Sequence, residues 1–178
     1  MLRFNTTRPL FSIGRRFYAA KGDSIPSTTL YDGSPGNDIN LAEETAHGKS
    51  ILIGIPGAFS PACSASHVPG YLKNLRAFND KGFSKFFIIS VNDPFVMKSF
   101  GNYLTQELFT NQVKFLADSR GEFSKELGVV FDATKVFGNE RSKRYALVVE
   151  DGKIVDSFIE PDNTSVDVSD ATKVLKSL

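Results

Sequence analysis

One cysteine, Cys63, stands in this 178-residue chain, so thiol chemistry has one place to occur, and neither an internal disulfide nor a multi-cysteine metal site can form. A lone cysteine is more often a small apolar core residue than a nucleophile until its surroundings speak. Pro56-Gly57-Ala58-Phe59-Ser60-Pro61-Ala62-Cys63 follows a strand-like run and opens a helix-like one, a favoured place for a reactive group in an α/β sheet. Ser60 is a good N-cap and Pro61 a good first helical residue. Together they predict Cys63 at the third helical position, with its backbone N–H meeting the Ser60 side-chain oxygen. The partial positive charge and unpaired N–H groups of such a helix start favour thiolate over thiol, which supplies a nucleophile. Were that sulfur to reduce a peroxide, it would attack one oxygen while the other left with developing negative charge, and both oxygens would need donors. The Ser60 hydroxyl, an N–H of the turn and a distant cation can form that cradle. Arg144 is the candidate cation, since a guanidinium stays charged and offers several donors in one plane.

The elements that must position these groups are legible in the apolar pattern. Lys49 to Ile55 and Phe86 to Val91 read as buried strands, short apolar runs bounded by turn formers. Between them, Val68, Tyr71, Leu72, Leu75 and Phe78 recur at helical spacing over Ser60 to Asp80, with a bend predicted at Pro69-Gly70. Strand, helix and strand in that order favour a parallel pair. A helix from Asp93 to about Leu108 follows, capped by Asn92 or Asp93, then a strand at Val113 to Ala117 and a short helix around Glu122 to Leu127 begun by Asp118 or Ser119. Tyr145 to Val149 and Lys153 to Ile159 pair across an Asp151-Gly152 hairpin turn, and Ser169 to Leu178 suits a terminal helix. Ser24 to Gly48 reads as loops and short strands leading into the core. The sum is one α/β domain with helices on a central sheet.

At residues 54–70 the sequence resembles a known family. Pro56, Ser60 and Cys63 match the spacing of the peroxiredoxin active-site signature: Pro, three residues, Thr or Ser, two residues, Cys. The run Gly54 to Ser64, with His67-Val68-Pro69-Gly70 beyond, is similar to the atypical type-five branch and its fungal relatives. Val91 to Val96, Leu116 to Ser119, and Phe137-Gly138-Asn139 with Arg144 extend the likeness over roughly residues 22–178. The resemblance implies a thioredoxin-like fold with a central mixed sheet. It also implies a thiol peroxidase for hydrogen peroxide and organic hydroperoxides that uses no metal or organic cofactor, in which Cys63 becomes a sulfenic acid. Pro56 would wall the site, Ser60 would take the role of the family hydroxyl, and Arg144 that of its active-site Arg. Phe59, Ala62 and Phe137 complete the expected substrate pocket, and the branch commonly forms homodimers through this face. Some members resolve the sulfenic acid with a second cysteine near the C-terminus; the corresponding Pro161 to Ser169 contains none. A one-cysteine cycle is therefore expected, with glutathione, a glutaredoxin or thioredoxin as reductant. The alternative is a redox sensor or chaperone-like protein switched by Cys63 oxidation. A dithiol oxidoreductase is disfavoured because there is no Cys-x-x-Cys pair, and His67 reads as a hydrogen-bonding helix residue rather than a protease-like partner of Cys63.

Composition bounds the rest. Residues 1–18 hold Arg3, Arg8, Arg15 and Arg16 and no acid, the composition of a mitochondrial transit peptide, with cleavage expected after Tyr18 and a matrix location for residues 19–178. Removing them takes away four of the 21 basic residues and none of the 20 acidic ones, leaving a net charge of −3. No basic stripe then remains to argue for nucleic acid. No apolar run approaches the roughly 20 residues of a membrane-spanning helix.

Overall fold

The computed structural model describes residues 19–106, 108 and 111–178; the proposed leader, residues 1–18, lies outside them. In chain order the strands are β1 (Thr29–Asp32), β2 (Asp38–Asn40), β3 (Lys49–Gly54), β4 (Phe83–Ser90), β5 (Val113–Ala117), β6 (Val130–Asp132), β7 (Glu140–Ser142), β8 (Tyr145–Glu150) and β9 (Lys153–Ile159). The helices are α1 (Leu41–Glu44), α2 (Val68–Lys73), α3 (Leu75–Asn79), α4 (Pro94–Thr105), α5 (Glu122–Glu126), α6 (Thr134–Phe137) and α7 (Ala171–Ser177), with a π-helical turn at Cys63–His67 leading into α2. Seven strands form one mixed sheet in the order β2-β1-β5-β4-β3-β8-β9, and β6 pairs with β7 apart from it. The parallel pairing of β3 with β4 bears out the strand–helix–strand reading.

The middles of the central strands are continuous apolar runs because both faces of the sheet are covered, and the period of two sorts their side chains. Ile51, Ile53, Phe86, Ile88, Ala146 and Val148 face a core shared with Cys63, Tyr71, Phe78, Met97, Phe100 and Val174. Leu52, Phe87, Ile89, Tyr145, Leu147 and Val149 face a second core, closed by Ala19, Ile25, Leu30, Leu41 and Phe123. Asp93 caps α4, its carboxylate accepting from the N–H groups of Phe95 and Val96 at 2.9 and 3.0 Å. The helix ends at Thr105, short of the expected Leu108. In the hairpin between β8 and β9, Asp151 and Gly152 both take positive φ, 47° and 74°, as the Asp-Gly pair predicts.

Two expectations are refined. The helical run after Ser60 is irregular on both sides of Pro69-Gly70: it widens before them, the Val68 N–H reaching back five residues to the Cys63 carbonyl, and it breaks after them at Asn74. Pro69 has no N–H for an ordinary helical bond to Ala65, so the irregularity falls in the preceding turn, where one widened bond absorbs the lost one. The stretch before β3 holds the expected short strands, the β1–β2 hairpin, with β1 joining the main sheet beside β5, and adds the helix α1. The small β6–β7 pair was not foreseen, because three-residue strands carry no readable period.

The C-terminal segment docks on the helical run that carries Cys63. Buried His67, through Nε2–H, and the Tyr71 hydroxyl both donate to the Ser169 carbonyl, at 3.2 and 2.7 Å. Burial, with the Arg144 guanidinium as a second cause, pulls the His67 pKa down to about 3 against the opposing pull of the Ser169 carbonyl and Asp170. An unfolded chain protonates that ring near its ordinary 6.5, so between 6.5 and about 3 the unfolded state binds a proton that the folded state refuses. The stabilisation is complete above 6.5 and is lost as pH falls toward 3. We expect the urea midpoint to drop across this window and His67→Gln, which can still donate to Ser169, to flatten the decline; an unchanged slope in the variant would contradict this.

Candidate active site

β3 and β8 are antiparallel neighbours, and their register pairs Gly54 with Tyr145. The chain leaving β3 toward Cys63 therefore starts beside the residue that enters β8, which is Arg144. Gly54 leaves the space that the Tyr145 ring fills: a Cβ there would stand 2.0 Å from Cε1 of that ring.

Beyond β3, the buried Pro56 leads into a turn over 57–60 in which the Gly57 carbonyl accepts from the Ser60 N–H at 3.3 Å and from the Ser60 hydroxyl at 2.8 Å. The Ala58 N–H donates to Asn92 Oδ1 at 3.0 Å, tying the turn to the end of β4, and the Ser90 hydroxyl donates to the same oxygen at 2.8 Å. Phe59 sits in this turn at φ 61°, a left-handed conformation that costs a bulky residue about 1–3 kcal/mol and is held only where the surroundings impose it.

The Ser60 expectation is therefore corrected. Its backbone carbonyl does start the helical run, accepting from the Ser64 N–H at 3.0 Å, but its hydroxyl turns back to Gly57 and does not cap Cys63. The tight turn brings the Gly57 carbonyl within reach as an acceptor for the hydroxyl proton.

Cys63 opens the π-helical turn, has 0% exposure and lies among apolar side chains. Into this setting comes Arg144, 2% exposed, whose Nη1–H donates to Sγ at 3.2 Å and whose Nε–H donates to the Thr164 carbonyl at 2.9 Å. Among the described residues no carboxylate lies within ion-pair distance of it. A buried guanidinium without an anion is costly, and the group able to become anionic on it is the sulfur of Cys63. The arrangement can thus hold a sulfur anion in an apolar surround and keep donors beside any charge that develops on a bound oxygen. Because the sulfur has no exposed surface, a reactant reaches it only when covering side chains give way.

The other expected pocket residues divide. Phe137 is brought in: its ring lies over Gly57, where a Cβ would approach Cε1 to 2.9 Å, and the Arg141 guanidinium stacks 4.8 Å from its centroid. Half-buried Ala62 immediately precedes the sulfur residue, and its carbonyl accepts from the Ser66 hydroxyl. Phe59, 50% exposed, stands instead on α4, with ring centroids 5.1 Å from Phe100 and 5.8 Å from Tyr103. The positive φ of the turn accompanies this placement. Sequence reasoning missed Asn92 except as a rival cap, and missed Thr164 and Asn163, whose carbonyls seat Arg144. Backbone acceptors leave no signature in residue type; the one available signal was Asn163, a residue that tolerates the positive φ of 73° it adopts.

Comparison with known proteins agrees with this geometry. The family model described as Redoxin matches residues 20–175. The peroxisomal membrane associated protein 20 of Schizosaccharomyces pombe is 45% identical over 159 residues, covering 89% of this chain and 99% of that one. Peroxiredoxin-2C of Oryza sativa is 36% identical over 166 residues, covering 89% and 98%. Among solved structures, reduced Prx3 of Vibrio vulnificus in complex with hydrogen peroxide superposes with a TM-score of 0.80 at 34% identity, covering 89% of this chain and 99% of that one. Peroxiredoxin 5 of Alvinella pompejana does so at 0.78 and 35%, covering 89% and 96%. With a thioredoxin-like mixed sheet, one cysteine at the head of its helix and relatives of this extent, the chain belongs to the peroxiredoxins, on their type-five side, and is a thiol peroxidase.

Proposed function

We propose that Cys63 is the attacking sulfur, that hydrogen peroxide and small organic hydroperoxides are its substrates, and that an external thiol completes the cycle. The observation that carries this is the 3.2 Å contact from Arg144 Nη1 to Sγ inside an apolar wall. The sulfur anion attacks one peroxide oxygen, the O–O bond breaks, and the departing oxygen leaves as water or an alcohol after taking a proton. Cys63 is left two electrons poorer, as the sulfenic acid. Arg144 holds the anion before attack and donates to the charge shifting onto oxygen. Pro56 and Phe137 wall the approach, with Ala62 beside the sulfur. The Ser60 hydroxyl, its proton held by the Gly57 carbonyl, is left as an acceptor for a peroxide O–H and donates to the peroxide only by giving up that bond.

With no second cysteine in the chain, resolution requires another molecule. A thiol of glutathione, a glutaredoxin or thioredoxin condenses with the sulfenic acid to release water, and a further thiol frees Cys63 from the mixed disulfide. The physiological role we infer is defence against peroxides and maintenance of the thiol balance. Exposed Phe59, Phe95, Tyr103 and Val136 support pairing of two copies through the face around the 57–60 turn. The Arg-rich, acid-free residues 1–18 support a mitochondrial address, whereas the name of the S. pombe relative points to the peroxisomal membrane.

Three outcomes are expected. Arg144→Lys keeps the charge but loses the planar fork, and should lower the second-order rate constant for hydrogen peroxide by about 100-fold. A rate within twofold of wild type, roughly, would remove Arg144 from the site. Steady-state turnover should be sustained by glutathione with glutaredoxin or by thioredoxin; if no thiol donor supports more than one turnover, the protein acts as a sensor. A fluorescent fusion carrying residues 1–30 should enter mitochondria, and a peroxisomal or diffuse signal would reject that address.

A further inference from the structure

Glu160 directly follows β9, and its side chain is wholly buried. Its Oε1 accepts three hydrogen bonds from the segment ahead of it: the Asp167 N–H at 2.7 Å, the Ser169 N–H at 2.9 Å and the Ser169 hydroxyl at 2.7 Å. Its own carbonyl accepts from the Asn163 N–H at 3.1 Å. Bonds to a charged acceptor are the stronger kind, so one carboxylate folds residues 160–169 into a fixed loop.

That loop touches both halves of the reactive pair. On one side the Asn163 carbonyl accepts from the Arg144 backbone N–H at 2.9 Å and the Thr164 carbonyl from Arg144 Nε–H at 2.9 Å, while the Glu160 N–H donates to the Arg144 carbonyl at 3.0 Å. On the other side, Ser169, held through its N–H and hydroxyl by Glu160, offers its carbonyl to His67 and Tyr71 on the helical run that carries Cys63 in its first turn. Tyr71 stays neutral as a donor, its pKa raised by burial first and by the charges of Asp170 and Glu160 second. Fixing Nε fixes the plane of the guanidinium, and with it the direction in which Nη1 meets Sγ.

We propose that Glu160 is a positioning residue for the peroxide reaction: through the 160–169 loop it aims the Arg144 guanidinium at the Cys63 sulfur. A buried carboxylate is a costly way to close a surface loop, and it is accounted for if that loop sets the geometry of the reacting pair. The inference rests on Cys63 being the attacking sulfur.

The test is a double-mutant cycle on the full chain, read as the second-order rate constant for hydrogen peroxide beside a thermal melt. Glu160→Gln keeps the shape and one acceptor oxygen but loses the charge, and should cost about tenfold or more in rate. In an Arg144→Lys background, where the aimed fork no longer exists, the same change should cost less than about twofold. A merely structural role would cost the same factor in both backgrounds, and that result, or a folded Glu160→Gln at wild-type rate, overturns the proposal. Should Glu160→Gln fail to fold, Ser169→Ala removes one of the three donors and is read through the same cycle, with a loss of about threefold or more expected in the wild-type background alone. A wild type reacting no faster than free cysteine would defeat the reading of Cys63 and this inference with it; a fast wild type with an insensitive Glu160→Gln would defeat only the role of Glu160.

Discussion

A guanidinium without surface exposure has to be answered by something, and in this protein it is answered by sulfur. Arg144 is enclosed, has Thr164's carbonyl on Nε, and directs Nη1 at Cys63. Carbonyls share the donors but bring no charge; among the described residues no carboxylate pairs with it. The arrangement makes electrostatic sense when the sulfur is ionised, which is also the state that attacks a peroxide. Stability and chemistry thus draw on one contact.

The rest of the fold can be read as what it takes to make that contact. The β3–β8 register sets Gly54 against Tyr145 and brings the two chain segments side by side. The turn at 57–60, pinned by Asn92 and strained at Phe59, changes the direction of the chain so that the helical run starts at Pro61, with the sulfur in its first turn. The loop at 160–169 closes the site from the other side. Its residues 163 and 164 are engaged in seating Arg144, and the stretch contains no cysteine.

Much of this was written openly in the sequence. Buried strands declared themselves through β-branched and aromatic runs, and the hairpin through Asp151-Gly152, because those signals are local. Cys63 and Arg144 were legible because the chemistry restricts the residue types that can perform it. Ser60 misled for the opposite reason: a hydroxyl can accept from an N–H to cap a helix or donate to a carbonyl to close a turn, and which it does depends on the partner the backbone brings nearer. Glu160 and Ser169 gave no signal, since their burial comes from contacts to Arg144 and to the Cys63 helix far away in the chain. The widened turn at Cys63–His67 was half legible: Pro69 announced an irregularity, and the structure moved it one turn earlier.

The central claim is that the fold makes this sulfur far more reactive toward peroxide than a cysteine in water, although it is sealed from solvent. The chain has no tryptophan to report on the site, so the direct measurement is competition of the reduced wild-type protein with a reporter peroxidase for limiting hydrogen peroxide, with oxidation of Cys63 verified by mass. We expect a second-order rate constant several orders of magnitude above that of free cysteine, abolished in Cys63→Ser. A rate equal to that of free cysteine would mean that the enclosure protects the sulfur rather than activating it.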